Sequence, residues 1–370
     1  MENVSITRVE IYKLDIAKKH PFRFSLGVVE QTENIVVRVY SSDGLYGTGE
    51  GAPLWQISGE TQAIAFEAAK VLGRLLVGKN PYAIEAHIGE ISGFMTYNTT
   101  AKSALDMALY DLLAKRADLP LYALLGGEKR TFYTDETIGL DEPQAMAQEA
   151  VGMVARGFPA IKVKLGTNCM DDVARIRAIR EAIGGGVLLR IDANQGWDPV
   201  TAEQVLQELA RFDIQYCEEP VAHWNRTALR WVREKSPIPI MADESIFDHH
   251  DAFHLASIGA CDYFNIKLAK SGGIHNALKI NAIAESAGIQ CMVGCMEETR
   301  LGLSAAAHLV SARPNIVFAD LDSAFNQTVD VVDGGITYDG GRVILTDAPG
   351  HGADIKPEVL SELEGSILTQ

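Results

Sequence analysis

Ala160-Ile161-Lys162-Val163-Lys164-Leu165 is the stretch on which the fold turns. Side chains alternate along a strand, so Ile161, Val163 and Leu165 share one face while Lys162 and Lys164 share the other. If helices cover this strand, the apolar set packs against them and both ammonium groups enter the space the strands enclose. Buried lysines are costly unless paired or used. An exposed edge strand with two solvated lysines is the ordinary alternative, and the flanking sequence chooses between them.

From about Thr131 onward, short β-rich runs alternate with longer amphipathic stretches. The runs are Phe132–Ile138, Ala160–Leu165, Val187–Ala193, Ile214–Glu219, Ile238–Ala242, Tyr263–Lys267, Gln290–Gly294 and Ile316–Leu321. Eight strands with intervening helices predict an α/β fold, a modified (β/α)8 TIM-type barrel, over residues 126–325. A doubly wound open sheet is the competing topology, but it would carry a glycine-rich phosphate loop after its first strand, and none is present. Residues 1–125 read differently. Strands at Ile6–Ile16, Asn34–Tyr40 and Leu45–Gly49, with a hairpin turn at Asp43-Gly44, precede helical patterns such as Ala101–Arg116. This predicts an α+β capping domain, with residues 326–370 returning to complete it.

Charged residues collect at the carboxyl ends of the predicted strands, the end where barrels of this kind carry chemistry. Strand three ends in Ile191-Asp192-Ala193-Asn194, strand four in Glu218-Glu219-Pro220 and strand five in Asp243-Glu244-Ser245. One acid at the same level on three successive strands makes a cluster of oxygen donors that cannot all ionise without a cation. Oxygen-only ligands favour a hard ion, Mg²⁺ before Mn²⁺, over Zn²⁺. Each acid alone could equally cap the helix that follows it. Strand six ends in Asn265-Ile266-Lys267, and strands two and six lie on opposite sides of an eight-strand barrel, so Lys164 and Lys267 face each other across the mouth. Strand eight adds Asp320-Leu321-Asp322, two acids on one face that metal binding does not need. They form an anionic grip for a cation on the substrate.

Composition narrows the setting. The chain has 370 residues, 47% of them hydrophobic, and a formal net charge of −16, which argues against nucleic acid or an anionic membrane as partner. No apolar run reaches the length of a membrane span, and the first residues lack the basic start and apolar stretch of a signal peptide. Five cysteines without paired spacing suggest free thiols in a reducing cytoplasm.

The motifs K-V-K at 162–164, D-A-N-Q-G-W at 192–197, E-E-P at 218–220, A-D-E-S at 242–245 and N-I-K at 265–267 follow the order and spacing of a known family. In these motifs, in the A-L-D-M-A-L-Y-D-L segment and in L-L-G-G before the barrel, the chain resembles the muconate lactonizing enzyme subgroup of the enolase superfamily. The D-x-D at Asp320 and Asp322 resembles the dipeptide epimerases of that subgroup, of the L-Ala-D/L-Glu epimerase kind, where it binds the substrate ammonium group. The resemblance implies that Asp192, Glu218 and Asp243 carry one Mg²⁺ per subunit and that Lys164 and Lys267 are the acid/base pair. It makes Lys162 an auxiliary cation beside the substrate, and implies a homo-oligomer. Strand alternation turns Glu219 and Glu244 away from the metal face, where with Asn194 they support the ligands. The implied reaction inverts the α-carbon of a dipeptide's C-terminal residue through an enediolate, one lysine removing the proton and the other returning it on the opposite face. Crowding by the metal and the other lysines is expected to lower the pKa of the lysine that acts as base.

Side-chain specificity is less constrained. Ala-Glu epimerases resemble one another in an arginine aligned with Gly27, and a glycine cannot bind a side-chain carboxylate, so the substrate is not expected to be restricted to Ala-Glu. Arg23 lies four residues earlier in the same loop, around residues 20–30. Glu297 in Cys295-Met296-Glu297-Glu298 would favour a basic or polar dipeptide if it lines the pocket; turned to solvent or capping the next helix it would not. A small apolar second residue also fits Gly27. The rival readings are a muconate-type cycloisomerase or o-succinylbenzoate synthase on the same scaffold, whose substrates have no ammonium group, and a non-catalytic binding barrel. The second would leave buried charge without a purpose.

Overall fold

A computed structural model describes residues 4–370. Its eight parallel strands, in chain order around a barrel, are Glu136–Ile138, Ala160–Lys164, Leu188–Asp192, Ile214–Glu218, Ile240–Ala242, Tyr263–Lys267, Gln290–Gly294 and Ile316–Asp320. Alternation sorts their side chains. Ile161, Val163, Leu189, Ile191, Cys217, Ile266 and Val293 point outward into one continuous core with the covering helices. Helix Pro199–Leu209 is typical: Asp198 caps it by accepting from Val200 N and Thr201 N, proline starts it, and Ala202, Val205, Leu206 and Leu209 form its buried stripe. Inside the barrel, Tyr216, Met241 and Met292 pack with Tyr263 and Phe318 into a plug. The interior is therefore filled below, and its charged groups begin with Arg190, over the Tyr216 and Phe318 rings, and continue to the mouth.

The first predicted strand is a correction. Phe132–Ile138 breaks in two: Phe132 and Tyr133 pair antiparallel with Val343 and Arg342, and only Glu136–Ile138 joins the barrel, against Ile161–Val163. The break occurs at Thr134-Asp135. Asp135 is fully buried and accepts from Arg190 Nη1 at 2.7 Å, while Leu321 N donates to Thr134 Oγ1 at 2.8 Å. The seam between first and last strands is closed by these groups instead of a ladder.

The cap is a four-stranded antiparallel sheet in the order Gly365–Thr369, Ile6–Phe24, Gly27–Ser41, Tyr46–Gly51, covered by helices that include Gln62–Arg74 and Thr99–Arg116. The C-terminal strand thus pairs with the first strand of the chain, and Val332–Gly334 pairs with Ala353–Ile355 and packs with Leu14, Ile16 and Val36 of the cap, while Thr337–Asp339 and Arg342–Ile344 pair beside Phe132–Tyr133. The first two strands run far longer than the sequence suggested, and the segment read as a loop near residues 20–30 is the tip of their hairpin. An irregularity between Ala17 and Phe22 bends the tip over the barrel mouth. There Leu140 N donates to Arg23 O at 2.8 Å and Ser25 Oγ to Asn194 O at 2.7 Å.

Two cap carboxylates dock on the amino ends of barrel helices, where unpaired N–H groups and the helix dipole favour an anion. Glu50 accepts from Thr299 N and Gly302 N at the start of Arg300–Ala312, and Asp106 accepts from Ile274 N at the start of Ile274–Ala287. Helix Thr99–Arg116 in turn lies directly on strand Tyr46–Gly51. A Cβ on Gly49 would stand 2.1 Å from Ala104 O, and one on Gly47 2.0 Å from Ala108 O. Gly49→Ala is therefore expected to cost about 3 kcal/mol, the upper end of ordinary overpacking, read as a fall in the thermal midpoint.

Candidate active site

Strand register builds the site. Lys164 lies opposite Asp192, and Asp192 opposite Glu218; on the other side Lys267 lies opposite Gly294, and Gly294 opposite Asp320. These inward positions form one ring at the carboxyl ends of the strands, with Asp243 just beyond strand five. Gly294 leaves needed room, since a Cβ there would meet Asn265 Oδ1 at 2.7 Å. Asn265 Nδ2 donates to Glu218 Oε1 at 2.7 Å.

Ligand-type oxygens of Asp192, Glu218 and Asp243 lie within 4.8 Å of one another, all three residues fully buried. Lys164 Nζ is 2.6 Å from Asp192 Oδ2 and Lys267 Nζ is 2.8 Å from Asp243 Oδ2. The two lysines thus flank the acid cluster from strands four positions apart around the barrel. Lys162 sits between, 3.2 Å from Asp192 Oδ2, 2.8 Å from Glu218 Oε2 and 2.7 Å from Asp320 Oδ2. Asp322 Oδ2 accepts from Thr137 N at 2.7 Å, and its carboxylate lies within 4.8 Å of that of Asp320.

The supporting residues stand where alternation predicted. Asn194 N donates to Asp192 Oδ1 at 2.9 Å and its amide to Glu244 Oε1 at 2.9 Å. Glu219 accepts from Asp243 N at 2.7 Å, Ser245 N at 3.1 Å and the Ser245 hydroxyl. Asn194 and Glu219 hold positive φ values of 39° and 32°, a strain of about 1–3 kcal/mol each that such bonding sustains.

Burial and charge set the protonation of the cluster. Burial would raise Asp192, but Lys164 and Lys162 hold it below the usual carboxylate range; Asp243 is held low against its burial by Lys267 and Lys270. Glu218 is pushed up to about 8 by burial and by Asp192. Asp322 rises to about 7 through burial and Asp320, whereas Asp320, buried beside Lys162, stays at about 2. Lys267 departs from expectation. Burial works to lower it, but Asp243 and Glu218 outweigh burial and hold it above the ordinary lysine value, because the acids suited to a cation also serve as its counter-ions.

All eight charged residues expected at the mouth converge. Glu297 and Gly27 do not behave as expected. Glu297 lines the cavity, but its carboxylate pairs with Lys18 of the cap hairpin and is not free for a basic substrate. Gly27 lies outside the cavity lining, with φ +148° and the Gln56 side chain next to its α-carbon; Arg23, four residues earlier, does line the cavity. Four contributors went unrecognised. Lys270 binds Asp243 and Ile246 O from a helical turn after strand six. Ser245 and Thr137 act through the bonds above. Asn265 shares a face with Lys267 two residues on, a signal that alternation offered.

The residues fit a divalent cation. The donors are carboxylate oxygens, and Glu218 Oε2 is buried without a hydrogen bond, its contact with Lys162 lacking the geometry for one. The mouth opens into a cavity of about 1190 Å³ that Lys162, Lys164, Lys267, Asp320 and Asp322 all line.

Fold and site together define a barrel enzyme that pairs an acid-ligated divalent metal with opposed lysines. Residues 145–359 match the model described as "Enolase C-terminal domain-like", and residues 7–126 match "Mandelate racemase / muconate lactonizing enzyme, N-terminal domain". The chain belongs to the mandelate racemase/muconate lactonizing enzyme family of the enolase superfamily. It is 43% identical to a hydrophobic dipeptide epimerase of Enterococcus faecalis, over 94% of this chain and 99% of that one. It is 44% identical to a D-Ala-D/L-Ala epimerase of Cytophaga hutchinsonii, over 97% and 98%. A crystal structure of a Cytophaga hutchinsonii dipeptide epimerase with Mg and D-Ala-L-Val superposes with a TM-score of 0.97 at 43% identity, covering 99% of this chain and 100% of that one.

Saturating Mg²⁺ should raise the thermal midpoint of this protein, by about 2.7 kcal/mol of stability at 100 times its dissociation constant. Glu218→Gln and Asp243→Asn should each remove most of that increase, as read by calorimetry.

Proposed function

We propose that this protein is a dipeptide epimerase, an isomerase that inverts the α-carbon of the C-terminal residue by Mg²⁺-assisted 1,1-proton transfer. The observation that carries this reading is the placement of Lys164 and Lys267 on opposite flanks of Asp192, Glu218 and Asp243, with Asp320 and Asp322 alongside. A racemising centre needs two proton carriers on opposite faces of one carbon, and a substrate with an α-ammonium group needs an anionic grip.

Removing the α-proton of a carboxylate places a second negative charge on the anion. A divalent ion held by Asp192, Glu218 and Asp243 supplies, when bound, positive charge that offsets it. Lys162 adds a fixed ammonium group against the same developing charge. Asp320 and Asp322 hold the substrate ammonium group, which sets the C-terminal α-carbon between Lys164 and Lys267. One lysine, neutral at that moment, removes the proton; the other, as ammonium, delivers one from the opposite face through a planar enediolate. The cap hairpin closes over the mouth and limits water around the reacting carbon. The engaged Glu297 carboxylate supports a dipeptide whose second side chain is not basic. Five free cysteines support a reducing, cytoplasmic setting; assembly as a homo-oligomer rests on resemblance alone. Among the described residues no helix is long and apolar enough to cross a membrane.

Incubating a dipeptide library with protein and Mg²⁺ in D₂O tests the proposal. Each substrate should gain one deuteron at the C-terminal α-carbon, and L-Ala-L-Glu should not be the best of them. Lys164→Ala and Lys267→Ala should each lower epimerisation by ~10²–10⁴-fold or more, and each should retain α-proton exchange with only one diastereomer. No deuterium uptake by any dipeptide would refute the assignment.

The pH profile is a separate test. Asp322, raised to about 7, is uncharged below that value and grips an ammonium group poorly. KM should therefore fall as pH rises through about 7, then climb again as the substrate amine (pKa about 8) deprotonates. Asp322→Asn should raise KM and erase the acidic limb.

A further inference from the structure

Building on the epimerase reading, we propose that the Lys18–Glu297 ion pair sets side-chain specificity by cancelling two charges. The site then selects an uncharged, apolar C-terminal residue, and loss of either partner exposes a charge that selects its opposite.

The side chain of the inverted residue must leave the α-carbon from between Lys164 and Lys267, away from the metal acids and from Asp320 and Asp322. A hollow of about 50 Å³ opens at that place, with both lysines on its lining. Its other walls include Phe24, Val29, Leu54, Ile57, Met296 and Glu297. Apart from Glu297 these are hydrocarbon or thioether surfaces, which suit an aliphatic or small aromatic side chain. A free carboxylate here would recruit lysine or arginine. Glu297 is not free: its side chain is 10% exposed, that of Lys18 is 3% exposed, and the two are in direct ionic contact.

Lys18 comes from the cap and Glu297 from the loop after strand seven, and both line the main cavity. The ring of Phe22 is shared by the two groups, its centroid 5.9 Å from Lys18 Nζ and 5.9 Å from Lys164 Nζ. A buried ion pair adds little net stability over apolar residues, but removing one partner leaves the other unsatisfied and seeking a counter-ion. A charged substrate side chain can be that counter-ion. The same reasoning makes the pair a filter: glutamate and lysine substrates each meet one group of opposite and one of like charge, and must shed water without net gain.

The test uses L-Ala-L-Leu, L-Ala-L-Glu and L-Ala-L-Lys with Mg²⁺, following affinity by calorimetry and deuterium uptake in D₂O. The parent should prefer the leucine dipeptide. Glu297→Gln should move the Glu/Leu ratio of kcat/KM up by roughly 10- to 100-fold, the worth of one charge-assisted hydrogen bond, and Lys18→Met should move the Lys/Leu ratio up similarly. Unchanged ratios, or the same charged dipeptide gaining in both variants, would overturn the proposal. Shifted affinities without deuterium uptake would support the pair while sinking the epimerase reading. If neither single variant folds, the reversed pair Lys18→Glu with Glu297→Lys decides. A folded protein that keeps the apolar preference supports cancellation, and one that favours a charged dipeptide contradicts it.

Discussion

Five carboxylates and three ammonium groups share the inner surface of one barrel mouth, and every other feature of the site answers to the cost of placing them there. Each would be prohibitive to bury alone. Together they alternate in register: Lys164 beside Asp192, Lys162 touching Asp192, Glu218 and Asp320, and Lys267 beside Asp243. This balance preorganises charge where a reaction would develop it, so little reorganisation is left for the chemical step. The supporting bonds are also explained by it. Glu219 orients Asp243 through the backbone, Asn194 and Asn265 fix Glu244 and Glu218, and the strained φ at Asn194 and Glu219 is tolerated because these contacts over-determine it.

The cap depends on the same barrel through different contacts. Glu50 and Asp106 tie its sheet and long helix to the amino ends of two barrel helices, which sets the height of the hairpin above the mouth. The hairpin tip then contributes Phe22, Arg23 and Lys18 to the cavity wall. The lysines and acids thus stand on rigid strands, and the cavity wall opposite them comes from a bent hairpin facing the strand-seven loop. Two relatives more than 40% identical to this chain, a hydrophobic dipeptide epimerase and a D-Ala-D/L-Ala epimerase, are named for different substrates.

Residue alternation made the reaction centre legible in the sequence. Alternation put Lys162 and Lys164 on one face and their three apolar neighbours on the other, and acids at or just past the ends of three consecutive strands converge once those strands form a barrel. Local pattern failed where long-range partners decided the outcome. Phe132–Ile138 reads as one β-rich run, but Arg190, from strand three, draws Asp135 inward and splits it. Lys270 lies past the end of its strand, in a helical turn where period-two reasoning stops. The engagement of Glu297 depends on a residue 279 positions away, and no spacing rule reaches that far. Gly27 pairs with Phe24 at the turn of the hairpin, and it is Arg23 that lines the cavity, a placement set by hairpin pairing that the sequence alone does not display.

Inversion requires one carbon reached by two amines from opposite sides. A crystal structure with Mg²⁺ and an unreactive dipeptide analogue measures this directly, through the positions of the Lys164 and Lys267 Nζ atoms relative to the plane of the C-terminal carboxylate and α-carbon. The two nitrogens should lie on opposite sides of that plane, with the carboxylate directed at Asp192, Glu218 and Asp243 through the ion. Both nitrogens on one side, or a ligand carboxylate turned away from the three acids, would contradict the account.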